Sequence, residues 1–248
     1  HNPWDTNHVT GGSSGGSGSS IAAGQVMATL GSDTGGSVRI PSALCGIVGL
    51  KPAYGLVSRY GVYPLCWSLD TVGPMTRSVR DAALVMNTIA GPDARDPSSS
   101  ERTSEDFTWR LGRPIEGLRI GIPQEHYFDV LDAETKNAVM AASRVLAGQG
   151  ATIEQVSIPM LDNVAAISNT IMLSEAAEVH LEHMRDQGDQ FDPAVRDRLE
   201  PGTIIPAVQY VRAQRARSLF SEQVDRAMAT VDVLLAPTCP IGAPRIGD

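Results

Sequence analysis

Two serines in glycine-rich surroundings are the residues of this 248-residue sequence best suited to covalent chemistry: Ser13 in GGSSGGSGSS and Ser37 in GSDTGGSVRIP. Gly35 and Gly36 leave the backbone uncrowded before Ser37, which opens a short helix. The N–H groups of Thr34, Gly35, Gly36 and Ser37 can therefore converge on one point. Preorganised donors of this kind suit the oxyanion formed when a hydroxyl adds to a carbonyl, and removal of one elsewhere has cost about 2.7–4 kcal/mol of barrier. Two serines on tight backbone suggest a hydrolase in which one hydroxyl attacks and the other carries its proton. The run at residues 11–20 has a second reading, a flexible Gly/Ser linker. A linker joins two folded units, yet only ten residues precede this run and a helix of small apolar residues follows at once.

The surrounding pattern supplies elements to hold these serines. Small residues from Ser19 to Met27 suit a helix, and residues 28–30 a short buried strand running into the turn GSDTGG. A helix starting near Ser37 is expected to stop or bend at Pro41. Residues 47–50 read as a buried strand, and residues 78–89 as a helix with Ser78 as its N-cap. Residues 94–104 read as a polar surface loop. Strand 118–122, helix 133–146 and strand 151–156 make a βαβ unit and predict parallel pairing. Helical segments over 160–186 and 205–229 precede a strand at 231–236, ended by Pro237. This alternation predicts a single α/β domain over 1–248, with helices on both faces of a largely parallel or mixed twisted sheet.

Composition excludes several function classes. A net charge of −8, with 20 Lys and Arg against 28 Asp and Glu, supplies no basic cluster for direct contact with nucleic acid. No apolar run reaches the roughly 20 residues that span a bilayer. Cys45, Cys66 and Cys239 are odd in number and lack CxxC spacing, which points away from disulfides and zinc and toward a reducing, cytoplasmic setting. His180 and His183 share a helix face without a third ligand, so a solvated face is the expectation. Cys45 reads as a small buried hydrophobe. Asp33 and Arg39, taken alone, read as a structural ion pair.

The run from Gly11 to Pro41 resembles the signature of the amidase signature family, and CGIVGLKPAYGLVSRYGV and SLDTVGPMTRSVRDAALVMNTIAG continue the likeness. The βαβ unit and the PTCP stretch at 237–240 agree more loosely. The resemblance implies the amidase signature fold with Ser37 as nucleophile. It makes Ser13 a serine on a cis peptide bond that passes a proton between the nucleophile and a lysine. It assigns the amides of Thr34, Gly35, Gly36 and Ser37 to the oxyanion hole, and Ser14, Asp33 and Arg39 to bracing the nucleophile turn. Tyr63, Cys66, Trp67, Ile171 and Met172 become pocket neighbours by analogy. Lys51 stands in GLKP, a strand-ending stretch that the family does not use in catalysis. The lysine of the pattern lies upstream of Gly11 and a further segment follows PTCP, so the sequence reads as the middle of a longer enzyme.

The activity so implied is hydrolysis of a small-molecule amide or carbamate through an acyl-enzyme, releasing ammonia or an amine and a carboxylic acid. The resemblance calls for no metal and no organic cofactor, and leaves assembly open, a homodimer included. The stretches GVYPLCWSLD and GPDARDPSSSE favour the stand-alone amidases. The alternative is the glutaminase component, the A subunit, of the glutamine-dependent tRNA amidotransferase. A non-catalytic fragment or pseudoenzyme is the reading from a different class.

Overall fold

The computed structural model describes residues 1–103 and 105–247. Helix α1 (Gly15–Ala22) starts inside the Gly/Ser run, four residues before the expected helix. Glycine is a poor helix former, but here it permits close packing: a Cβ on Gly18 would lie 3.3 Å from Pro41 Cβ and 3.4 Å from Met75 Cε. Ile21 on the same helix is fully buried. The run is therefore structured and packed.

Strand β1 (Ala28–Asp33) carries the chain into the turn that holds Ser37, and α2 (Arg39–Cys45) leaves it. Pro41 does not stop α2, contrary to expectation, because it occupies the first turn, where backbone N–H groups have no intrahelical acceptor. After β2 (Val48–Gly49) comes β3 (Thr71–Thr76), buried along its whole length. Strands β1, β3 and β2 form an antiparallel sheet in that order, with Asp33 opposite Thr71 and Leu30 opposite Pro74. Pro74, which lacks an N–H, lies one residue past the β2 ladder.

Helix α3 (Val79–Ile89) buries Ala82, Ala83 and Met86. The Ser78 Oγ caps it, accepting from the Asp81 N–H at 3.1 Å. Ser78→Ala is expected to cost about 1 kcal/mol, read as a fall in Tm of roughly 2–4 °C for a chain of this size.

The loop from 94 on is tied down through Asp96, whose carboxylate accepts from the Arg59 N–H at 2.7 Å and the Ser98 N–H at 2.9 Å. Ser104, at the end of that expected loop, lies outside the described residues. The βαβ unit follows as read: β4 (Arg119–Pro123), α4 (Ala133–Gly148) and β5 (Thr152–Val156). Helices α5 (Val164–Gln187), α6 (Pro193–Leu199) and α7 (Ala207–Met228) lead to β6 (Val233–Leu234). Strands β5, β4 and β6 form a parallel sheet in that order. The class is α/β as expected, and within it the described strands divide into one antiparallel and one parallel sheet of three strands each.

Two apolar clusters tie helices to this frame. Val156, Ile158, Leu161, Ala227 and Val231 pack the end of β5 against the end of α7. Cys66, Ile167, Ile171 and Ala213, with Leu69, Met172 and Tyr210, fasten the loop before β3 to α5 and α7. Met172 of that second cluster lies beside the turn that follows β1. No helix among the described residues is long and apolar enough to cross a membrane.

Candidate active site

The two serine segments meet. The Ser14 N–H donates to the Ser37 carbonyl at 3.1 Å, so the turn carrying Ser13 lies directly against the turn carrying Ser37. The Gly12–Ser13 peptide bond is cis, the geometry the resemblance implies there. Ser14 Oγ donates to the Ser32 carbonyl at 3.3 Å, tying the same turn to the end of β1. The hydroxyls of Ser13 and Ser37 make no hydrogen bond among the described residues, and Ser13 is exposed while Ser37 is half-buried.

Asp33 organises the Ser37 turn. Its side chain is fully buried. One oxygen accepts from the Gly36 N–H at 2.8 Å, the other from the amides of Val38 at 3.1 Å and Arg39 at 3.3 Å. The Arg39 guanidinium grips both oxygens, Nε at 3.0 Å and Nη2 at 2.8 Å. Burial pushes the Asp33 carboxyl up, but the Arg39 hydrogen bonds and charge, with the Val38 and Gly36 amides, outweigh it and hold the carboxyl below the usual range. The same hydrogen bonds raise Arg39 above its ordinary value against the pull of burial. The bidentate pair closes the turn at the start of α2.

Gly36, expected among the oxyanion donors, has its N–H engaged by Asp33. The amides of Thr34, Gly35 and Ser37 have no hydrogen-bond partner among the described residues. Gly36 has a second duty, since its φ of 125° is one that side-chain-bearing residues rarely adopt. A Cβ there would also sit 2.7 Å from Ile40 Cδ1 and 2.9 Å from its Cγ1. Gly36→Ala is expected to destabilise by about 1–3 kcal/mol, seen as a fall in Tm of roughly 2–12 °C on thermal denaturation.

The remaining sequence candidates divide. Met172 on α5 reaches over the turn, its sulfur 3.7 Å from where a Gly35 Cβ would stand. Cys66 is fully buried and donates its thiol to Glu175 Oε2 at 3.0 Å; burial, then the neighbouring Glu175, pushes that thiol up. It is core, not pocket wall. Tyr63 and Trp67 are exposed. Lys51 Nζ donates to the Pro52 carbonyl at 2.9 Å, and burial and the Arg39 charge lower its pKa against the attraction of Asp33. His180 stacks on Tyr63 with ring centroids 5.6 Å apart and meets Phe191 edge-on at 5.9 Å, so it packs among aromatics, whereas His183 is exposed as a solvated face requires. No group of three or more His, Cys, Asp or Glu among the described residues is placed to hold a metal ion.

Sequence reasoning missed a second set of polar residues around the turn. Asp70 Oδ1 accepts from Thr34 Oγ1 at 2.5 Å, and Thr71 Oγ1 donates to the Asp33 carbonyl at 3.0 Å. Glu175, 3% exposed, accepts from the Ser68 N–H at 3.0 Å, Ser68 Oγ at 2.7 Å and the Tyr210 hydroxyl at 2.9 Å. A usable signal existed for Glu175. It follows Ile167 and Ile171 at four-residue spacing, which puts a carboxylate on the buried stripe of α5.

A family model described as Amidase matches residues 1–248. The A subunit of glutamyl-tRNA(Gln) amidotransferase from Halothermothrix orenii is 39% identical over 272 residues, covering 100% of this chain and 57% of that protein. Its counterpart from Chloroflexus aggregans is 43% identical over 271 residues, covering 99% of this chain and 55% of that one. Among solved structures, the counterpart from Thermotoga maritima superposes with a TM-score of 0.86 at 37% identity, covering 100% of this chain and 54% of that chain. A bacterial aryl acylamidase belonging to the amidase signature enzymes gives a TM-score of 0.86 at 28% identity, covering 99% and 52%. The chain spans about half the length of the curated relatives it matches.

Proposed function

Since the chain belongs to the amidase signature family and has its fold, we propose that it carries the nucleophile of an enzyme that opens a carbon–nitrogen bond outside peptide linkages through an acyl-enzyme on Ser37. One observation carries this reading: the cis Gly12–Ser13 turn is bonded through the Ser14 N–H to the Ser37 carbonyl, beside the unpartnered amides of Thr34, Gly35 and Ser37.

In this reading Ser13 gives its own proton to the lysine of the family pattern and takes that of Ser37 as Ser37 Oγ adds to the amide carbonyl. The amides of Thr34, Gly35 and Ser37 hold the resulting oxyanion. Ser13 then returns the proton to the leaving nitrogen, the carbon–nitrogen bond breaks, and ammonia or an amine departs. Water adds to the acyl-enzyme by the same proton route and releases a carboxylic acid. The family pattern puts the lysine that exchanges protons with Ser13 before Gly11. Asp33 and Arg39 touch no reacting atom; they hold the turn.

Identity of 39–43% to the glutamyl-tRNA(Gln) amidotransferase proteins favours ammonia release from glutamine within an amidotransferase over the stand-alone amidases preferred on sequence. The stand-alone reading keeps the support of the aryl acylamidase superposition. Purified from its source with its partners, the whole protein is expected to release ammonia from glutamine, and to lose that activity when a copurifying partner is stripped away. Rapid hydrolysis of an aryl amide by the isolated chain, with no glutaminase activity in any preparation, selects the stand-alone reading.

A further inference from the structure

The peptide unit joining Asp33 to Thr34 is held from both ends by consecutive residues of one neighbouring segment. Thr71 Oγ1 donates to the Asp33 carbonyl at 3.0 Å. That peptide is trans, so its N–H, which belongs to Thr34, points opposite to the carbonyl and away from Thr71. At the Thr34 end of the unit, Thr34 Oγ1 donates to Asp70 Oδ1 at 2.5 Å. Asp70 is itself pinned, its Oδ2 accepting from the amides of Leu65 at 2.8 Å and Cys66 at 2.9 Å. Asp70 and Thr71 are 6% and 3% exposed, so neither competes with water for these bonds. Cys66 is anchored in turn by its thiol on Glu175 of α5.

We propose that Asp70 and Thr71 are positioning residues that aim the Thr34 amide at the oxyanion. The proposal rests on the reading that Ser37 is the nucleophile and that the amides of Thr34, Gly35 and Ser37 face the developing charge. An amide donor stabilises that charge only when aimed before the reaction, because reorienting it during the reaction costs what it would contribute. Ladder pairing of Asp33 with Thr71 ends at this residue, so the side-chain bonds are what fix the peptide that follows.

The test is labelling of the whole protein by an alkyl fluorophosphonate, whose phosphoryl oxygen occupies the oxyanion position, with rate followed against reagent concentration. Thr34→Val and Thr71→Val remove one hydroxyl each at constant shape; Thr34→Ser and Thr71→Ser keep it. Both Val variants are expected to lower the maximal labelling rate about 10- to 100-fold, a fraction of the loss when a donor is deleted outright, with half-saturating concentration unchanged within about twofold. The Ser variants are expected to restore the rate to within about threefold. Val variants that label at the wild-type maximal rate overturn the proposal, as do Ser variants that lose as much as Val, or a loss confined to half-saturation. Ser37→Ala is the control: if it labels like wild type, the nucleophile reading itself fails, whatever the threonine variants do.

Discussion

Ser37→Ala is expected to lower kcat on the natural substrate by on the order of 10⁵–10⁶, the scale seen when the nucleophile of a serine hydrolase is deleted. Stability should move little, within about 0.5 kcal/mol, because the Ser37 hydroxyl makes no hydrogen bond among the described residues and its loss leaves no buried group unpaired. Ser13→Ala is expected to approach the same loss. The double variant should be scarcely worse than either single one, since a nucleophile and its proton carrier act as a unit and their effects do not add. Steady-state kinetics of the three variants, beside thermal melts, check this. Additive losses would mean that Ser13 contributes something independent of Ser37.

Asp33→Asn is expected to destabilise the protein by about 3–5 kcal/mol, the range for removing one partner of a buried charge pair. For a chain of this size that is a fall in Tm of roughly 6–20 °C. The carboxylate is fully buried and accepts from three backbone amides and two guanidinium nitrogens. An asparagine there brings an NH2 donor against other donors. Arg39 is 44% exposed and can turn to water, which places the expected cost toward the lower end.

The pH dependence has a definite sign. Because the folded Asp33 carboxyl sits below the ordinary range, its stabilisation is complete at neutral pH. It declines as pH falls below the unfolded value of about 3.9 toward the lower folded one. Melts between pH 7 and pH 3 should show that loss in the native protein, and its Asp33 component should be missing in Asp33→Asn. Activity should fall with stability in this variant, since the turn that presents Ser37 is what the carboxylate closes.

The parts of this architecture readable from sequence are those in which local pattern and tertiary need agree. The βαβ unit at 119–156 has long apolar periodicity and clear stops, and it folds almost at the expected bounds. Ser78 caps α3 as read. The Asp33–Arg39 pair was legible because the two stand six residues apart around one turn. Tertiary packing overrode local preference elsewhere. Glycines at 15, 16 and 18 argue against a helix, yet α1 begins there, with Thr10 against Gly15 and Pro41 and Met75 against Gly18 leaving room only for small residues at those two positions. Strand β3 escaped notice because it is buried on both faces, so it shows no alternation, and because Pro74 is unusual in a central strand. The roles of Asp70, Thr71 and Glu175 were hidden for another reason, although the spacing of Glu175 after Ile167 and Ile171 marked it as buried. Their partners lie 36, 38 and up to 109 residues away, at distances no local spacing encodes.

The central claim is that Ser37 is the atom that bonds to the acyl carbon, and mapping a covalent adduct tests it most directly. After treatment of the whole protein with a fluorophosphonate, peptide mass spectrometry is expected to find one adduct per chain, on Ser37, and none in Ser37→Ala. An adduct on Ser13 or elsewhere, or an unlabelled native protein, would contradict it.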